Sequence, residues 1–206
     1  MILKSLLDSN KTYSAILADP PWQYDSPAAI FANIKKDGSI GKSVNLNNHY
    51  NMMSQEELMS LPIPASKDCL LFLWVTNPFL CDGSGAEVVK AWGFTPKTVI
   101  TWAKVQADGR TPSMRNGHWF RSASEHIIFA VKGKVKRPTG YPCLPTWQPH
   151  KRLGHSVKPD LFYDYVEAAC PNGPWLEMFC RRERKNWDCW GNEVEPAKSD
   201  LTDLLE

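Results

Sequence analysis

The residues with the clearest chemical potential are four consecutive ones, Asp19, Pro20, Pro21 and Trp22. They follow the apolar run at residues 13–18, which predicts a buried strand that the two prolines then stop. Asp19 offers carboxylate oxygens, and a proline nitrogen has no hydrogen, so this turn presents acceptors and few donors. The indole of Trp22 adds a flat apolar surface. Acceptors beside a flat surface suit a planar ring that carries an amino group, such as a nucleobase.

Methyl transfer to such an amine is the chemistry that this turn could support. The amine of adenine is a poor nucleophile because its lone pair is delocalised into the ring. We expect Asp19 to accept one hydrogen bond from the amine and the carbonyl of Pro20 to accept a second, with a gain that appears mainly in the transition state. The structural alternative is an ordinary turn after a strand, in which Asp19 is a cap and Trp22 fills the core.

The elements that would position this turn predict an α/β fold with a mostly parallel central sheet. Continuous apolar runs are typical of buried parallel strands, and they lie at residues 69–75, 98–103 and 175–180, with a last strand at 186–190. Helical segments lie between or before them, at residues 54–59, 79–92 and 160–169, and residues 119–132 indicate an antiparallel edge. Since ligands bind at the carboxyl ends of strands in such sheets, we expect a site at Asp19.

The composition suits one globular domain, because the 206 residues are 43% hydrophobic and 22% charged, with a net charge of +2. We expect that domain to span residues 1–194 and the acidic residues 195–206 to form a disordered tail. The six cysteines form no CxxC pair and the five histidines no ligand pair, which predicts reduced thiols and no metal site. Without a signal peptide or a run of transmembrane length, we expect a soluble cytoplasmic protein with no membrane contact.

Basic character is concentrated in three segments, at residues 105–118, 131–152 and 181–185. Lysine and arginine side chains of this kind can contact nucleic-acid phosphates without reading sequence. Lys136 and Arg137, in the second segment, are candidates for such contacts. The alternative is that these segments are solvated loops.

Several later segments, together with the opening turn, resemble one enzyme family. It comprises the methyltransferases that use S-adenosylmethionine to methylate the N6 amine of adenine, including the eukaryotic messenger-RNA adenosine methyltransferases and compact bacterial and phage relatives. The resembling segments are residues 71–76, 117–119, 124–126, 155–160, 177–181, 186–187 and 191–193. The resemblance implies a Rossmann-like methyltransferase fold in permuted order. The catalytic motif then lies near the N-terminus and the cofactor strands near the C-terminus, and both meet at one crevice.

The resemblance also implies roles for individual residues. The catalytic residues are expected to be Asp19, Pro20, Pro21 and Trp22. The substrate is expected to contact Tyr50, Trp74, His118, Trp119, Glu125, Lys136 and Arg137. S-adenosylmethionine is expected to contact Asp19, Lys158, Glu177, Phe179, Arg181, Asn192 and Glu193.

Some of these roles are specified further by the family. Tyr50, with Trp22, is expected to hold the adenine face. Lys158 is expected to meet the carboxylate of the cofactor's methionine part, and Glu177 its ribose hydroxyls. Phe179 could pack on the cofactor's adenine or simply fill the core.

Two departures from the family affect the cofactor strands. Cys180 stands where many relatives carry Ala or Gly. Glu183 and Arg184 stand where many carry His and Asn, which leaves the ribose contacts open.

The compact, bacterial-type form leads us to expect adenine in DNA as the substrate. RNA adenine is the alternative, and the target base must leave its stack to reach Asp19. A non-catalytic nucleic-acid-binding subunit and a small-molecule methyltransferase are further alternatives. The sequence is compatible with a monomer or with a dimer with a similar subunit.

Overall fold

The computed structural model describes residues 10–24, 30–31, 44–45, 52–106, 108–110, 120, 122–152 and 157–191. In chain order the strands of the main sheet are β1 (Tyr13–Ala18), β4 (Ala65–Val75), β5 (Thr95–Val105), β6 (Ser124–Lys132), β7 (Trp147–Lys151), β8 (Trp175–Met178) and β9 (Trp187–Trp190). Two short strands, β2 (Ile30–Phe31) and β3 (Val44–Asn45), form a separate antiparallel pair. The helices are α1 (Gln55–Met59), α2 (Asn77–Cys81), α3 (Ser84–Ala91) and α4 (Leu161–Ala169).

The seven strands of the main sheet lie in the order β7-β5-β6-β4-β1-β8-β9. Strand β6 is antiparallel to both of its neighbours, and the other strand pairs in this sheet are parallel. The predicted α/β fold with a mostly parallel sheet is therefore confirmed. The antiparallel strand lies inside the sheet between β4 and β5, rather than at an edge as its position in the sequence suggested.

The carboxyl ends of β1 and β8 mark the crevice of this sheet. These two strands are neighbours, yet the chain leaves β1 towards β4 on one side and leaves β8 towards β9 on the other. Such a point, where the connections diverge, is where open α/β sheets bind ligands. The fold therefore places the turn after β1 and the turn after β8 beside each other.

The apolar side chains of the sheet form two cores, one on each face. One core joins Leu58 of α1 and Val89 of α3 to inward residues of β1 and β4. The other joins Phe162 and Val166 of α4 to the opposite rows of the sheet. The sheet is thus covered on both faces, which explains why its central strands read as continuous apolar runs.

Helix positions follow their local signals with one exception. Ser54 caps α1 through a reciprocal pair of bonds, in which Glu57 N–H donates to Ser54 Oγ (3.2 Å) and Ser54 N–H donates to Glu57 Oε2 (2.7 Å). The single helix predicted over residues 79–92 is two helices, because Gly83 interrupts it with a φ of 88°. Of the helices in the described residues, none is long and apolar enough to cross a membrane.

One strand lies where the sequence indicated only a basic, proline-rich stretch. Strand β7 pairs in parallel with β5, from Thr101 opposite Trp147 to Val105 opposite Lys151. Its short length and its proline hide the strand pattern, and an edge position tolerates Pro149.

The cysteines correct a second expectation. Cys180 and Cys189 form a disulfide, with their Cα atoms 5.8 Å apart. The parallel pairing of β8 with β9 brings them together, and Cys180 N–H donates to the carbonyl of Trp190 (3.0 Å). The prediction that all six thiols are reduced is therefore wrong at this pair, which the sequence spacing did not reveal. The other four cysteines are free.

Candidate active site

The turn after β1 is held from both sides by backbone hydrogen bonds. Asp19 N–H donates to the carbonyl of Met178 in β8 (3.3 Å), and Met53 N–H donates to the carbonyl of Pro21 (2.9 Å). Within the turn, Trp22 N–H donates to the carbonyl of Pro20 (2.9 Å). A carbonyl oxygen has two lone pairs, so that of Pro20 retains capacity for one further donor.

Trp22 lies in the core rather than on an open surface. Its side chain is 6% exposed, its indole N–H donates to the carbonyl of Trp74 (3.0 Å), and its ring stacks on Phe79 with centroids 4.8 Å apart. The structural alternative for Trp22 is therefore correct, and its indole is not available to hold an adenine face. Trp22 instead fixes the turn that carries Asp19.

Tyr24 is an aromatic residue close to the turn that the sequence reasoning did not single out. It is half-buried, tilts against Phe79 at 4.9 Å, and shares a hydrogen bond with Thr76 Oγ1 (2.9 Å) at the end of β4. Burial is the main cause of its raised pKa. Its position two residues after Trp22, in a polar segment, gave only a weak sequence signal.

Asp19 belongs to a cluster of two carboxylates and two ammonium groups. Lys158 Nζ donates to Asp19 Oδ2 (2.7 Å) and lies 3.2 Å from Glu125 Oε2. Lys104 Nζ donates to Glu125 Oε1 (2.5 Å). The four groups alternate in sign, Asp19–Lys158–Glu125–Lys104, so the cluster is electrically balanced before any ligand binds.

The pKa values follow from this pairing. Burial alone favours a neutral Lys158 amine, but the carboxylates of Asp19 and Glu125 outweigh it and raise the pKa of Lys158. Burial likewise opposes charge on Glu125, and Lys158 with Lys104 lowers the pKa of that carboxyl below its usual value. Both shifts favour the charged forms of Lys158 and Glu125.

These contacts change the expected role of Lys158. It was expected to meet a cofactor carboxylate, whereas two of its donors are directed to Asp19 and Glu125, and its Nζ lies 5.2 Å from the ring centroid of Trp74. An ammonium group has three donors, so one remains for a ligand. Trp74 is 2% exposed and serves as the apolar floor under Lys158, not as a surface for substrate.

A polar network fixes the strand that carries Glu125. The next residue, His126, bonds Asn77 Oδ1 through Nε2 (2.5 Å) and Thr101 Oγ1 through Nδ1 (3.0 Å). Ser124 Oγ also donates to Asn77 Oδ1 (3.2 Å). The network joins β5, β6 and the start of α2, and so fixes the backbone of β6 on both sides of Glu125.

Glu177, the second-to-last residue of β8, has a different environment. Its Oε1 accepts from the hydroxyl of Tyr163 (2.8 Å), and its Oε2 is buried without a partner in the part of the chain that the structure describes. Burial raises the pKa of Glu177 to about 7, while the hydrogen bond from Tyr163 opposes this rise. A buried oxygen of this kind requires a donor, and a ligand hydroxyl would provide one.

Arg184, one of the two family departures, reaches this carboxylate indirectly. Its guanidinium lies 3.7 Å above the ring of Tyr163 and donates to Asp160 Oδ1 (2.7 Å), which also accepts from Arg182. Tyr163, which the sequence reasoning did not single out, thus connects Arg184 to Glu177. Its place in the apolar pattern of α4 indicated a core residue.

The turn after β8 holds the remaining cofactor candidates. Phe179 has a φ of 65°, uncommon for a bulky residue, and its ring tilts against Trp190 at 4.9 Å. Arg181 is exposed at the same end of the sheet. Gly191 packs so closely that an added Cβ would lie 2.1 Å from the carbonyl oxygen of Cys180, which explains why a side chain is not tolerated there.

Two expected substrate residues, Lys136 and Arg137, follow the end of β6, which lies at the edge of the sheet opposite this crevice. Strand β6 is antiparallel, so its end, Lys132, pairs with Cys69 and leads away from the carboxyl edge. The chain then passes Asp68, whose Oδ1 accepts from Lys134 N–H (2.6 Å). Lys136 and Arg137 are exposed and follow two and three residues later, and their expected contact with the substrate stays a prediction. Five other candidates lie outside the described residues: Tyr50, His118, Trp119, Asn192 and Glu193.

The described residues fit S-adenosylmethionine, which the family resemblance implies. The unpaired buried oxygen of Glu177 suits a ribose hydroxyl. The carboxylate of Asp19, at the neighbouring strand end, suits a sulfonium cation. Two strand ends that meet at the diverging connections therefore offer one acceptor each.

Comparison with known proteins gives one family and several relatives. The MT-A70 family profile matches residues 13–193. The type II methyltransferase M.MunI of Mycoplasma sp is 29% identical over 202 residues, which cover 93% of this chain and 82% of that protein. The N(6)-adenine-specific methyltransferase METTL4 of Mus musculus is 28% identical, over 93% of this chain and 40% of its own length. The N(6)-adenosine-methyltransferase catalytic subunit METTL3 of Homo sapiens is 27% identical, over 89% of this chain and 28% of its own. The chain thus spans less than half of the latter two.

Proposed function

Since this chain belongs to the MT-A70 family, we propose that it methylates the N6 amine of adenine in DNA. The family match confirms the enzyme class predicted from the sequence, an adenine N6-methyltransferase that uses S-adenosylmethionine. The choice of DNA is supported by the relatives. M.MunI, most of whose length this chain covers, is a type II methyltransferase, and METTL4 is named for adenine. RNA is the second candidate because METTL3 is named for adenosine, the ribonucleoside.

The observation that supports this function best is the hydrogen bond from Lys158 to Asp19 at the carboxyl edge of the sheet. It holds the carboxylate of Asp19 in one orientation, beside a positive charge, where the chain leaves β1. Oδ2 is bonded to Lys158, so Oδ1 is the oxygen that we assign to the target amine. The carbonyl of Pro20, which has one lone pair in use, accepts the second amine hydrogen.

Catalysis then consists mainly of alignment and charge. S-adenosylmethionine, when bound, supplies a methyl group on a positively charged sulfur. Two acceptors on the amine localise its lone pair and direct it along one line, which is worth most in the transition state. After transfer the nitrogen carries a positive charge and is strongly acidic, so Asp19 needs no raised basicity to take its proton. Lys158 keeps Asp19 in place throughout.

A comparison of acceptors tests the proposal. Purified protein would be incubated with S-adenosylmethionine labelled in its methyl group and with single-stranded DNA or RNA of matched mixed sequence. We expect label in DNA at a rate well above that in RNA. More label in RNA would favour the second candidate. Binding of both without label in either would contradict the enzyme and favour the non-catalytic subunit.

A further inference from the structure

Strand β7 exposes one of its two rows of side chains and ties down the other. Gln148 Nε2 donates to the hydroxyl of Tyr165 (2.5 Å), and the carbonyl of His150 accepts from the indole of Trp102 (2.9 Å). These bonds fix the strand against the face that α4 covers. The alternate row is exposed, and it consists of Trp147, Pro149 and Lys151.

Trp147 is the unusual member of that row, because 59% of its surface is exposed. Its partner in β5 is Thr101, and the next position along pairs Pro149 with Ala103. Both β5 side chains are small, and so they leave the indole and the proline ring uncovered. The indole and the proline ring thus lie side by side on the surface, where a ligand could contact them.

The row leads to the carboxyl edge, where Asp19 lies. Trp147 is in register, through Thr101 and His126, with Val75, the last residue of β4. Four strand spacings separate β7 from β1, or about 19 Å. From Trp147, which is level with the end of β4, strand β7 continues about 13 Å in the same direction to Lys151. Lys158, which bonds Asp19, follows seven residues later.

The chain segment that contains this row carries charge of one sign. Residues 132–159 contain seven lysines or arginines and no aspartate or glutamate. The structure divides that stretch. Lys132, at its start, pairs with Cys69 at the edge of the sheet opposite the crevice, whereas Lys151 and Arg152 lie at the end of β7. Positive charge beside an open aromatic ring is the arrangement that single-stranded nucleic acids recognise, since bases stack on the ring and phosphates meet the cations.

We propose that the exposed row of β7 binds the single-stranded nucleic acid next to the target adenine, with one base stacked on Trp147 and a phosphate at Lys151. The proposal rests on the proposed function, because it assigns the row to the same polynucleotide that enters the crevice. It also gives the compact chain a contact outside the crevice to hold that strand.

A second copy of the chain is the competing occupant, since β7 lies at the edge of the main sheet and an edge strand can pair with another chain. The charge argues against it. Pairing of two such edges would bring Lys151 and Arg152 of one copy towards the same residues of the other, with no acidic residue in the stretch to compensate.

Binding of a fluorescent single-stranded DNA of about 20 nucleotides and mixed sequence tests the proposal. We expect Trp147→Ala to weaken binding about tenfold and Trp147→Phe to retain most of it, because a phenyl ring still stacks. Lys151→Ala should flatten the dependence of log Kd on log salt by roughly 0.7, the value for one phosphate contact. Lys97→Ala is the matched control, an exposed lysine at the start of the neighbouring strand β5, and should change neither quantity.

Three further readings separate the proposal from its alternatives. Methylation of an oligonucleotide of about three nucleotides, too short to span about 19 Å, should be unchanged in Trp147→Ala. If the protein methylates nothing but its DNA binding still depends on Trp147, the proposed function fails and the binding row stands. If Trp147→Ala binds DNA as tightly as the unaltered protein, the row is not a nucleic-acid contact. If Trp147→Ala converts a dimer to a monomer in sedimentation and leaves DNA binding unchanged, the row contacts a second copy of the chain instead.

Discussion

At the Asp19 end of the crevice each carboxylate has a lysine partner, whereas at the Glu177 end a carboxylate has a hydroxyl partner and one buried oxygen that no described residue satisfies. The carboxylates of Asp19 and Glu177 lie at the ends of adjacent strands, β1 and β8, in the same sheet. The protein thus surrounds one with compensating charge and leaves the other partly desolvated.

The difference follows from what each end must do. Under the proposed function the Asp19 end presents an oriented carboxylate to the substrate, and the contact with Lys158 provides this orientation without a ligand. Under the proposed function a ligand hydroxyl completes the Glu177 end, so its unsatisfied oxygen should cost stability in the free protein. Binding sites of this kind exchange stability for affinity. Substitution of Asp19 should therefore mainly lower turnover, whereas substitution of Glu177 should lower cofactor affinity and raise stability.

The largest expected effect is on turnover at Asp19. Asp19→Ala removes the amine acceptor, and we expect methyl transfer to fall at least about a thousandfold, the scale for loss of a group that acts in the transition state. Lys158 keeps Glu125 as a partner, so the fold should persist. Single-turnover methylation would measure the loss of methyl transfer. Calorimetric binding of S-adenosylmethionine would check that the variant keeps its fold. Unchanged turnover would remove Asp19 from the mechanism.

Removal of the ammonium group should affect both turnover and stability. Lys158→Met leaves the carboxylate of Asp19 without its partner, whereas Glu125 retains Lys104. We expect turnover to fall about a hundredfold and the free energy of unfolding to fall by about 2 kcal/mol, below the range for a fully buried pair because water screens part of the cluster. Lys158→Arg keeps the charge and should preserve stability in urea denaturation. Equal stability of the Met and Arg variants would show that the pairing is not stabilising.

At the other end, Glu177→Gln should weaken the cofactor and stabilise the protein. The folded-state pKa of about 7 exceeds the usual 4.5, so the folded protein holds the proton more tightly. Its stability should be full below about pH 4.5 and decline as the pH rises to about 7, by roughly 3 kcal/mol. The glutamine variant lacks this decline. Denaturation at pH 5 and pH 8 measures it, and a parallel decline in the variant would rule out Glu177 as the cause.

Cofactor affinity should show the opposite dependence on pH. The ionised carboxylate is the stronger acceptor for a hydroxyl, so affinity should rise about tenfold between roughly pH 6 and pH 8 as Glu177 loses its proton. Titration calorimetry with S-adenosylmethionine would measure this in the unaltered protein. The glutamine variant, which does not titrate, is the control and should bind weakly at both values.

The smallest expected effect comes from the hydroxyl that orients Glu177. Tyr163→Phe removes one hydrogen bond worth about 1 kcal/mol, so cofactor affinity should fall about fivefold. Tyr165→Phe is the matched control on the same helix, since its hydroxyl contacts the carbonyl of Pro145 and Gln148 instead. Equal losses in the two variants would indicate a general effect on α4 rather than a contact with Glu177.

The sequence predicted the parts of this structure that local patterns determine. β1 has the predicted residues 13–18, and α1 lies within the helical segment predicted at residues 54–59. The turn at Asp19 was likewise found from its prolines. These features depend on residues that are neighbours in the sequence, so they can be predicted from one amino-acid sequence.

The features that the sequence did not predict depend on strand register. The pairing of Cys180 with Cys189 and the end of β6 at the edge opposite the site both follow from which strands are neighbours and in which direction they run. Trp22 was ambiguous for a similar reason, because its burial is decided by Phe79 from a later helix. Lys158 could be matched to a family position, but its two carboxylate partners come from separate strands.

The central claim, methylation of the N6 amine, is tested most directly by identifying the methylated atom. Single-stranded DNA of mixed sequence would be methylated with S-adenosylmethionine, digested to nucleosides and analysed by mass spectrometry. The control is the same DNA with purine, which lacks the exocyclic amine, in place of adenine. We predict N6-methyl-2′-deoxyadenosine from the first DNA and no methylated product from the second. A methyl group on a ring nitrogen, on another base, or on the purine DNA would contradict the account.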